Sequence, residues 1–359
     1  MIENKTLRGI GRAINWPAWP GQSWWRKGTV VAGWVYLAAL VGWLVLGAIF
    51  GDRWWWLFLL NAGAVYLFLP LPVLVVAALV RRRPAQGWQA GVVLVIWGGL
   101  FLPGYLSWPG LSAPTGPTLV AASYNLLGFN DRPDRVVATI ETLGADVLAL
   151  QELSPSLAAA IERDLADQYP YQMLDPQIGV TGAGIISRYP LLDTGQTLPG
   201  GWIGRPQIGL LDFHGQPVTI LNFHAYPFTI VPPGIKSGGD SIEWTVRERE
   251  RQVQAVLDFV AAHPGPLLAM TDLNADPRSR AYRQLTGVLQ DGWGQAGQGP
   301  GHTFPGRSSL GNIALPDWLI RIDYVFHSRD WQATSALVGP WDGVSDHRPV
   351  LVSLALVSR

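Results

Sequence analysis

Residues 267–277 read LLAMTDLNADP. Four apolar residues long enough for a buried strand are followed at once by a carboxylate, Asp272, and an amide, Asn274. The same change from apolar run to polar terminus recurs along the chain. Asn125 follows LVAASY, Gln151 and Glu152 follow ADVLAL, and His224 follows TILNF. Asp323 lies inside RIDYVF, and Asp346 and His347 lie in GVSDHRPV. Buried strands therefore span 119–124, 146–150, 184–187, 218–223, 266–271, 322–327 and 349–356. Helices are expected between them, one over 154–168 with Ser154 as N-cap and Pro155 at its first position, another over 242–262. Strands alternating with amphipathic helices over about 240 residues make one α/β domain, 118–359, large enough to bury its own core.

Strand ends are where α/β sheets handle ligands. Taken singly, an Asp or Asn after a strand is more often a turn former, and a lone His is usually structural. Six such groups on successive buried strands point instead to a metal-assisted site. Carboxylates, amides and imidazoles without thiols suit a hard divalent cation. The chain has no Cys, which excludes thiol catalysis, a disulfide scaffold and a zinc finger. It has no HExxH, GxxxxGK[ST] or GxSxG, so a zincin, a P-loop and a serine-hydrolase elbow are excluded as well.

The motifs also carry a resemblance. SYN (123–125), LALQEL (148–153), GIISRYPL (184–191), NFHAYP (222–227), TDLNADP (271–277), RIDYVF (321–326) and SDHRPV (345–350) resemble, in order, those of the endonuclease/exonuclease/phosphatase superfamily. HTFPG (302–306) resembles a further recurring element. The resemblance covers about 118–356 and implies a four-layer α/β sandwich of two packed sheets flanked by helices. It implies Mg²⁺ as cofactor, with Mn²⁺ also suitable, held by Glu152 with Asn125 and Asp346 nearby. Asp272 would orient or deprotonate the attacking water, and Asn274 would donate to the phosphoryl oxygens. His347, oriented by Asp323, would contact the phosphate, with His224 as a second imidazole. Position 271 departs from the pattern, with Thr where the family usually has Gly.

The other third of the chain has a different texture. Residues 28–51, 54–80 and about 88–106 are uncharged stretches, each long enough to span a bilayer. Pro70 and Pro72 are expected to kink the second, and Pro103-Gly104 to bend or end the third. Trp24, Trp25, Trp54, Trp55, Trp56, Trp88 and Trp108 stand near the ends, where indoles favour the interface. A three-helix membrane region, 1–108, is therefore expected, joined by the Pro/Gly-rich linker 109–117 to the catalytic domain.

Net charge is zero over 359 residues, but the average conceals a division. Residues 1–108 hold nine basic and two acidic side chains, so +7; the remainder holds 17 and 24, so −7. Arg81, Arg82 and Arg83, with Lys5, Arg8, Arg12, Arg26 and Lys27, place the N-terminus and the second connection in the cytoplasm. Three crossings then carry the catalytic domain outside. An acidic domain favours nucleic acid less as a substrate. The expected activity is hydrolysis of an extracytoplasmic phosphate ester or pyrophosphate, lipid-linked in the leading reading. Extracellular nuclease action and a non-catalytic binding module are the alternatives. Residues 225–239 (AYPFTIVPPGIKSGG) would either meet the bilayer or an acyl or prenyl tail, or pack on their own domain. Beyond the bilayer and the substrate, nothing in the chain points to a protein partner.

Overall fold

The computed structural model describes residues 22–105, 116–230, 234–236, 238–307, 309–310, 313–314 and 316–357. The membrane-like region holds α1 (Gln22–Phe50), α2 (Trp55–Ala62), a 3₁₀ segment (Ala64–Phe68), α3 (Leu71–Arg81) and α4 (Pro84–Tyr105). Three helical stretches, Lys27–Phe50, Ala64–Arg81 and Pro84–Tyr105, are long and apolar enough to cross a membrane. The expected second span, 54–80, is helical but interrupted. Its first eight helical residues form α2, the chain tightens into 3₁₀, and Pro70 caps the start of α3. The break after α2 falls at Gly63, and the change from 3₁₀ to α3 falls at Pro70 and Pro72, which lack the N–H that would donate to the preceding turn. Pro103 is accommodated inside α4, which continues to Tyr105. Trp24 and Trp25 are in a stretch whose side chains lie outside the described residues, as does Trp108.

The rest alternates strands and helices. In chain order these are β1 (Thr118–Asn125), α5 (Pro133–Leu143), β2 (Val147–Gln151), α6 (Pro155–Asp164), β3 (Tyr171–Asp175), β4 (Ala183–Ser187), β5 (Leu191–Asp193), β6 (Gln207–Phe213) and β7 (Gln216–His224). They are followed by α7 (Gly239–Ala262), β8 (Leu267–Asp272), α8 (Arg280–Thr286), β9 (Gln290–Asp291), α9 (Gly292–Ala296), β10 (Ser309–Leu310), β11 (Ile313–Ala314), β12 (Asp323–His327), β13 (Trp331–Val338) and β14 (Val350–Leu356). Two six-stranded mixed sheets result, ordered β13-β14-β1-β2-β4-β3 and β5-β6-β7-β8-β12-β9. As expected, Ser154 caps α6, its hydroxyl accepting from Leu157 N, although the helix ends at Asp164 rather than 168.

Period-two alternation builds the layers. On β1, Leu119 and Ala121 face the other sheet, packing with Ile220 of β7, Met270 of β8 and Val325 of β12. Ala122 and Tyr124, of opposite parity, pack under α5 and α6 beside Ile140 and Ile161. Leu221 and Phe223, Ala269, and Tyr324 and Phe326 pack likewise beneath α7 and α8. The four layers are thus helix, sheet, sheet, helix.

The same parity fixes the site. The inward row of β1 runs Leu119, Ala121, Ser123, Asn125; that of β2 runs Val147, Ala149, Gln151. On β7 it is Val218, Ile220, Asn222, His224, and on β8 Leu268, Met270, Asp272. Each row turns from apolar to polar at one end of the sandwich. Parallel pairing aligns Asn125 with Gln151 and His224 with Asp272, and antiparallel pairing brings Asp323 opposite Asp272.

The membrane-like helices rest on this domain at one end of their bundle. Arg280 N donates to Asp52 Oδ1 (2.9 Å), Tyr66 Oη to Leu319 O (2.9 Å) and Gly299 N to Gly104 O (2.9 Å). Phe58 of α2 packs with Ile242 and Val246 of α7. Arg81, which donates to Thr29 Oγ1, marks the opposite end.

Candidate active site

Asp272 is the hub. Its Oδ2 accepts from Asn125 Nδ2 at 3.0 Å and lies 3.4 Å from His224 Nε2 and 3.7 Å from His347 Nε2. Its Oδ1 accepts from the main-chain N–H of Asn274 (2.9 Å), which turns the chain through a left-handed conformation that asparagine tolerates. The Asn274 amide then lies 3.0 Å from His224 Nε2 and donates to Ala225 O. Thr271 points to the other face of β8, where its hydroxyl donates to Phe223 O (2.6 Å). The departure at 271 therefore ties β8 to β7 directly behind His224 and leaves Asp272 untouched.

His347 completes a carboxylate–imidazole–carboxylate chain. Its Nδ1 is 2.9 Å from Asp323 Oδ2, and Thr303 Oγ1 donates to that same oxygen. Burial opposes a charge on His347, but Asp323 and Asp272 flank it and push its pKa up to about 10. Asp272 is likewise penalised by burial, yet the His347 and His224 imidazoles hold it below the usual carboxylate range. Burial raises Asp323. His224 is disfavoured as a cation by burial, and the adjoining Asp272 more than offsets this, so its pKa is raised.

A stability consequence follows with a definite sign. A histidine whose pKa rises from the ordinary 6.5 to about 10 on folding stabilises fully below pH 6.5. That contribution is lost as pH climbs through 10. Thermal unfolding of the protein and of His347→Gln should differ most at pH 6 and converge toward pH 10. A difference independent of pH would contradict the charged state of His347.

Glu152 follows β2 at a φ of 58°, a conformation that costs about 1–3 kcal/mol for a residue with a side chain. The turn lets its carboxylate accept from Asn125 Nδ2 (3.0 Å) and from Gly128 N (2.9 Å). Gly128 is required there, because a Cβ would sit 1.9 Å from Gly179 O. Asp346, partly exposed, lies with Oδ1 3.9 Å from His347 Nε2; burial raises its pKa. Asn125, expected beside the metal with Glu152, is held by hydrogen bonds at both ends of its amide. Its Oδ1 accepts from Leu127 N, while its Nδ2 bridges Glu152 and Asp272. It spaces two carboxylates that would otherwise repel.

All eight expected residues meet at one end of the sandwich. Glu152, His224, Asp272, Asn274, Asp346 and His347 line one cavity of about 270 Å³, with Asn125 and Asp323 directly behind. Asp272, Asp323 and His347 also have ligand atoms within 4.8 Å of one another, the spacing of a metal group. Four carboxylates line the cavity, Glu152, Asp272, Asp276 and Asp346, and such hard oxygen donors fit a divalent cation such as Mg²⁺ or Mn²⁺.

Several contributors were not singled out in the sequence. Ser345 Oγ donates to Asn125 O and accepts from His347 N, joining the two ends of the site. Beneath it, Gln151 donates to Asn222 Oδ1 (2.8 Å), and Asn222 donates to Gln207 Oε1 and two main-chain carbonyls. This buried amide layer closes the space between the sheets where the apolar rows end. The other wall of the cavity is apolar. Phe129, Phe228 and Ile230 line it, together with Phe58 and Ala62 from α2. Phe228 stands edge-on to Phe58 with centroids 5.8 Å apart. The described part of the 225–239 loop thus turns into the cavity; residues 231–233 and 237 lie outside the described residues.

The sequence model of the Endonuclease/Exonuclease/phosphatase family matches residues 122–347, which contain all eight of the polar residues expected at the site. The chain belongs to this family. Its members are metal-dependent phosphoesterases and nucleases, in keeping with the carboxylate-lined cavity. A UPF0294 protein of Vibrio vulnificus is 28% identical over 245 residues, covering 65% of this chain and 75% of the relative. An endonuclease/exonuclease/phosphatase from Beutenbergia cavernae has the same fold, with a TM-score of 0.50 and 24% identity over 67% of this chain and 72% of its own. D. rerio TDP2, solved with a single-strand DNA product, gives a TM-score of 0.51 and 17% identity over 66% and 98%.

Proposed function

We propose that the protein is a membrane-anchored, divalent-metal-dependent phosphoesterase that hydrolyses a lipid-linked phosphate ester or pyrophosphate outside the cytoplasm. The observation that carries this reading is the cavity's mixed lining: carboxylates and imidazoles together with Phe58, Ala62 and Phe228. An amphiphile with a phosphate at its head matches both kinds of lining, and part of the apolar lining comes from the membrane-like region itself.

The geometry supports a role for each residue. Asp272, kept ionised by two imidazoles, accepts a proton from the attacking water. His347, charged and oriented by Asp323, donates through Nε2 to the phosphoryl oxygens, where negative charge spreads as the ester bond breaks. Asn274 adds an amide donor, and His224 stands beside the leaving oxygen. Glu152 and Asp346 would hold the divalent cation, with Asn125 positioning Glu152; when bound, it neutralises phosphoryl charge.

The test is turnover by the full-length protein in detergent with Mg²⁺, against a polyprenyl pyrophosphate, phospholipids and duplex DNA. Release of phosphate or headgroup from a lipid, without DNA cleavage, is expected. DNA cleavage without lipid turnover would sink the reading. The orientation has its own check. Arg81 and the catalytic domain lie at opposite ends of the helical bundle, so basic residues inside imply a domain outside. A reporter fused after Arg359 should be active only outside the cytoplasm; cytoplasmic activity would reverse the topology.

A further inference from the structure

Two strongly exposed apolar side chains stand at the carboxylate-bearing cavity. Phe129, which lines it, is 74% exposed; Ile178, two residues before the cavity-lining Val180, is 88% exposed. Phe129 belongs to the connection between β1 and α5, and Ile178 to that between β3 and β4. Both connections lie at the end of the sheet that carries the site. Asn125, the last residue of β1, is paired with Gln151, and Ala183, the first of β4, is paired with both Gln151 and Asp175. The two loops touch one another. A Cβ on Gly128 would collide with Gly179 O, and one on Gly179 would meet the Phe129 ring at 3.8 Å.

A single exposed apolar residue needs no partner. This pair differs, because a fixed backbone holds both side chains out. Gly128 N donates to Glu152 Oε2 (2.9 Å), Gln177 N to Leu153 O (3.0 Å) and Leu153 N to Gly182 O (3.1 Å), so both loops are pinned to the chain around Glu152. Their sequences, LLGFN (126–130) and PQIGVTG (176–182), contain no charged residue. The membrane-like region meets the same cavity. Ala62 lines it, and the apolar stretch Ala64–Arg81 begins two residues later. Tyr66, the third residue of that stretch, donates to Leu319 O (2.9 Å), next to the cavity-lining Ile320. The end of the sandwich that carries the site is therefore the end on which the helical bundle rests.

We propose that Phe129 and Ile178 form a lip that enters the adjoining leaflet of the bilayer, so that the cavity opens onto lipid rather than water. Apolar side chains gain by leaving water for the boundary between headgroups and acyl chains. The spans keep the lip beside the bilayer at all times, so its entry requires no separate encounter with the membrane. The pinned backbone means that little further ordering opposes it. A phosphate held at the head of a lipid then reaches the cavity without its hydrocarbon crossing water. The proposal rests on the membrane-spanning reading of the helices and is separable from which phosphate ester is hydrolysed.

The chain has no Cys, so a single introduced cysteine can carry a nitroxide spin label on the full-length protein in phosphatidylcholine nanodiscs. Ile178→Cys, Phe129→Cys, Val73→Cys and Gln216→Cys are compared by the spin relaxation caused by dissolved oxygen, which concentrates in lipid, and by a water-soluble nickel chelate. Val73, 71% exposed within α3, reads the span; the exposed Gln216, at the far end of β7 from His224, reads the solvent. Labels at 178 and 129 should relax several-fold faster with oxygen than with nickel, as at 73, and the ratio should invert at 216. A lipid-like ratio at 73 with a water-like ratio at 178 or 129 would overturn the lip and leave the spans standing. A water-like ratio at 73 would remove the spans and the lip together. Ile178 is too exposed for its replacement to disturb packing, so that variant reads the lip in a folded protein. No readout depends on turnover: a lip in lipid without hydrolysis of any lipid would sink the catalytic reading alone.

Discussion

Asp272→Asn should lower kcat for phosphate-ester hydrolysis by about 10³-fold, with little change in KM. The amide preserves the shape of the hub but cannot take a proton from water, and general-base removal costs about 10²–10⁴ in rate. It also removes one of the two carboxylates that hold His347 charged, so the phosphoryl donor weakens along with the base. Unfolding temperature should fall only modestly, because Asn125, His224 and Asn274 still surround the side chain. Steady-state kinetics beside a melting curve separate the two effects. A variant that keeps a tenth or more of its activity would remove Asp272 from the role of base.

Phe228→Asp should act on a different quantity. Phe228 is 41% exposed, so its replacement spares the fold, yet it stands against Phe58 on the apolar wall. A carboxylate there would face the hydrocarbon of a bound lipid and forfeit the contact of a phenyl ring, about 1.5–3 kcal/mol. The expected result is a rise in KM of about 10- to 100-fold for a long-chain phosphate ester. A short-chain water-soluble ester should be hydrolysed as before. Equal losses on both esters would mean that Phe228 supports the site rather than selecting the chain.

The residues of the candidate site were legible because they obey simple periodicity. Asn125, His224 and Asp272 share inward parity with the apolar residues before them, so a strand read from its hydrophobic run also says where its last polar side chain points. Glu152 breaks that parity, and the positive φ that redirects it leaves no trace in composition. Ser345, Thr303 and Gly128 were harder. Each acts through a contact across 20 or more residues of sequence, with Asn125, Asp323 and Glu152, and such pairings exist only once the chain has folded.

The largest departure concerns residues 54–62. Hydropathy measures the cost of leaving water, and α2 is apolar enough to join a span. What it cannot register is the competing partner, α7, whose Ile242 and Val246 cover Phe58. That contact sets α2 against α7 and makes it part of the lining of the carboxylate-bearing cavity. An apolar face can be met by lipid or by protein, and only the tertiary fold decides between them.

The central claim is that one cavity recognises both a phosphate and a hydrocarbon chain. Its most direct test is kcat/KM for a homologous series of phosphate esters, from short and soluble to long-chain, with the full-length protein in nanodiscs and Mg²⁺. Each buried methylene is worth about 0.8 kcal/mol, so four buried groups predict a preference of about 10²-fold for the long-chain ester. A flat series, or a protein that cleaves DNA and ignores every member, would contradict the account.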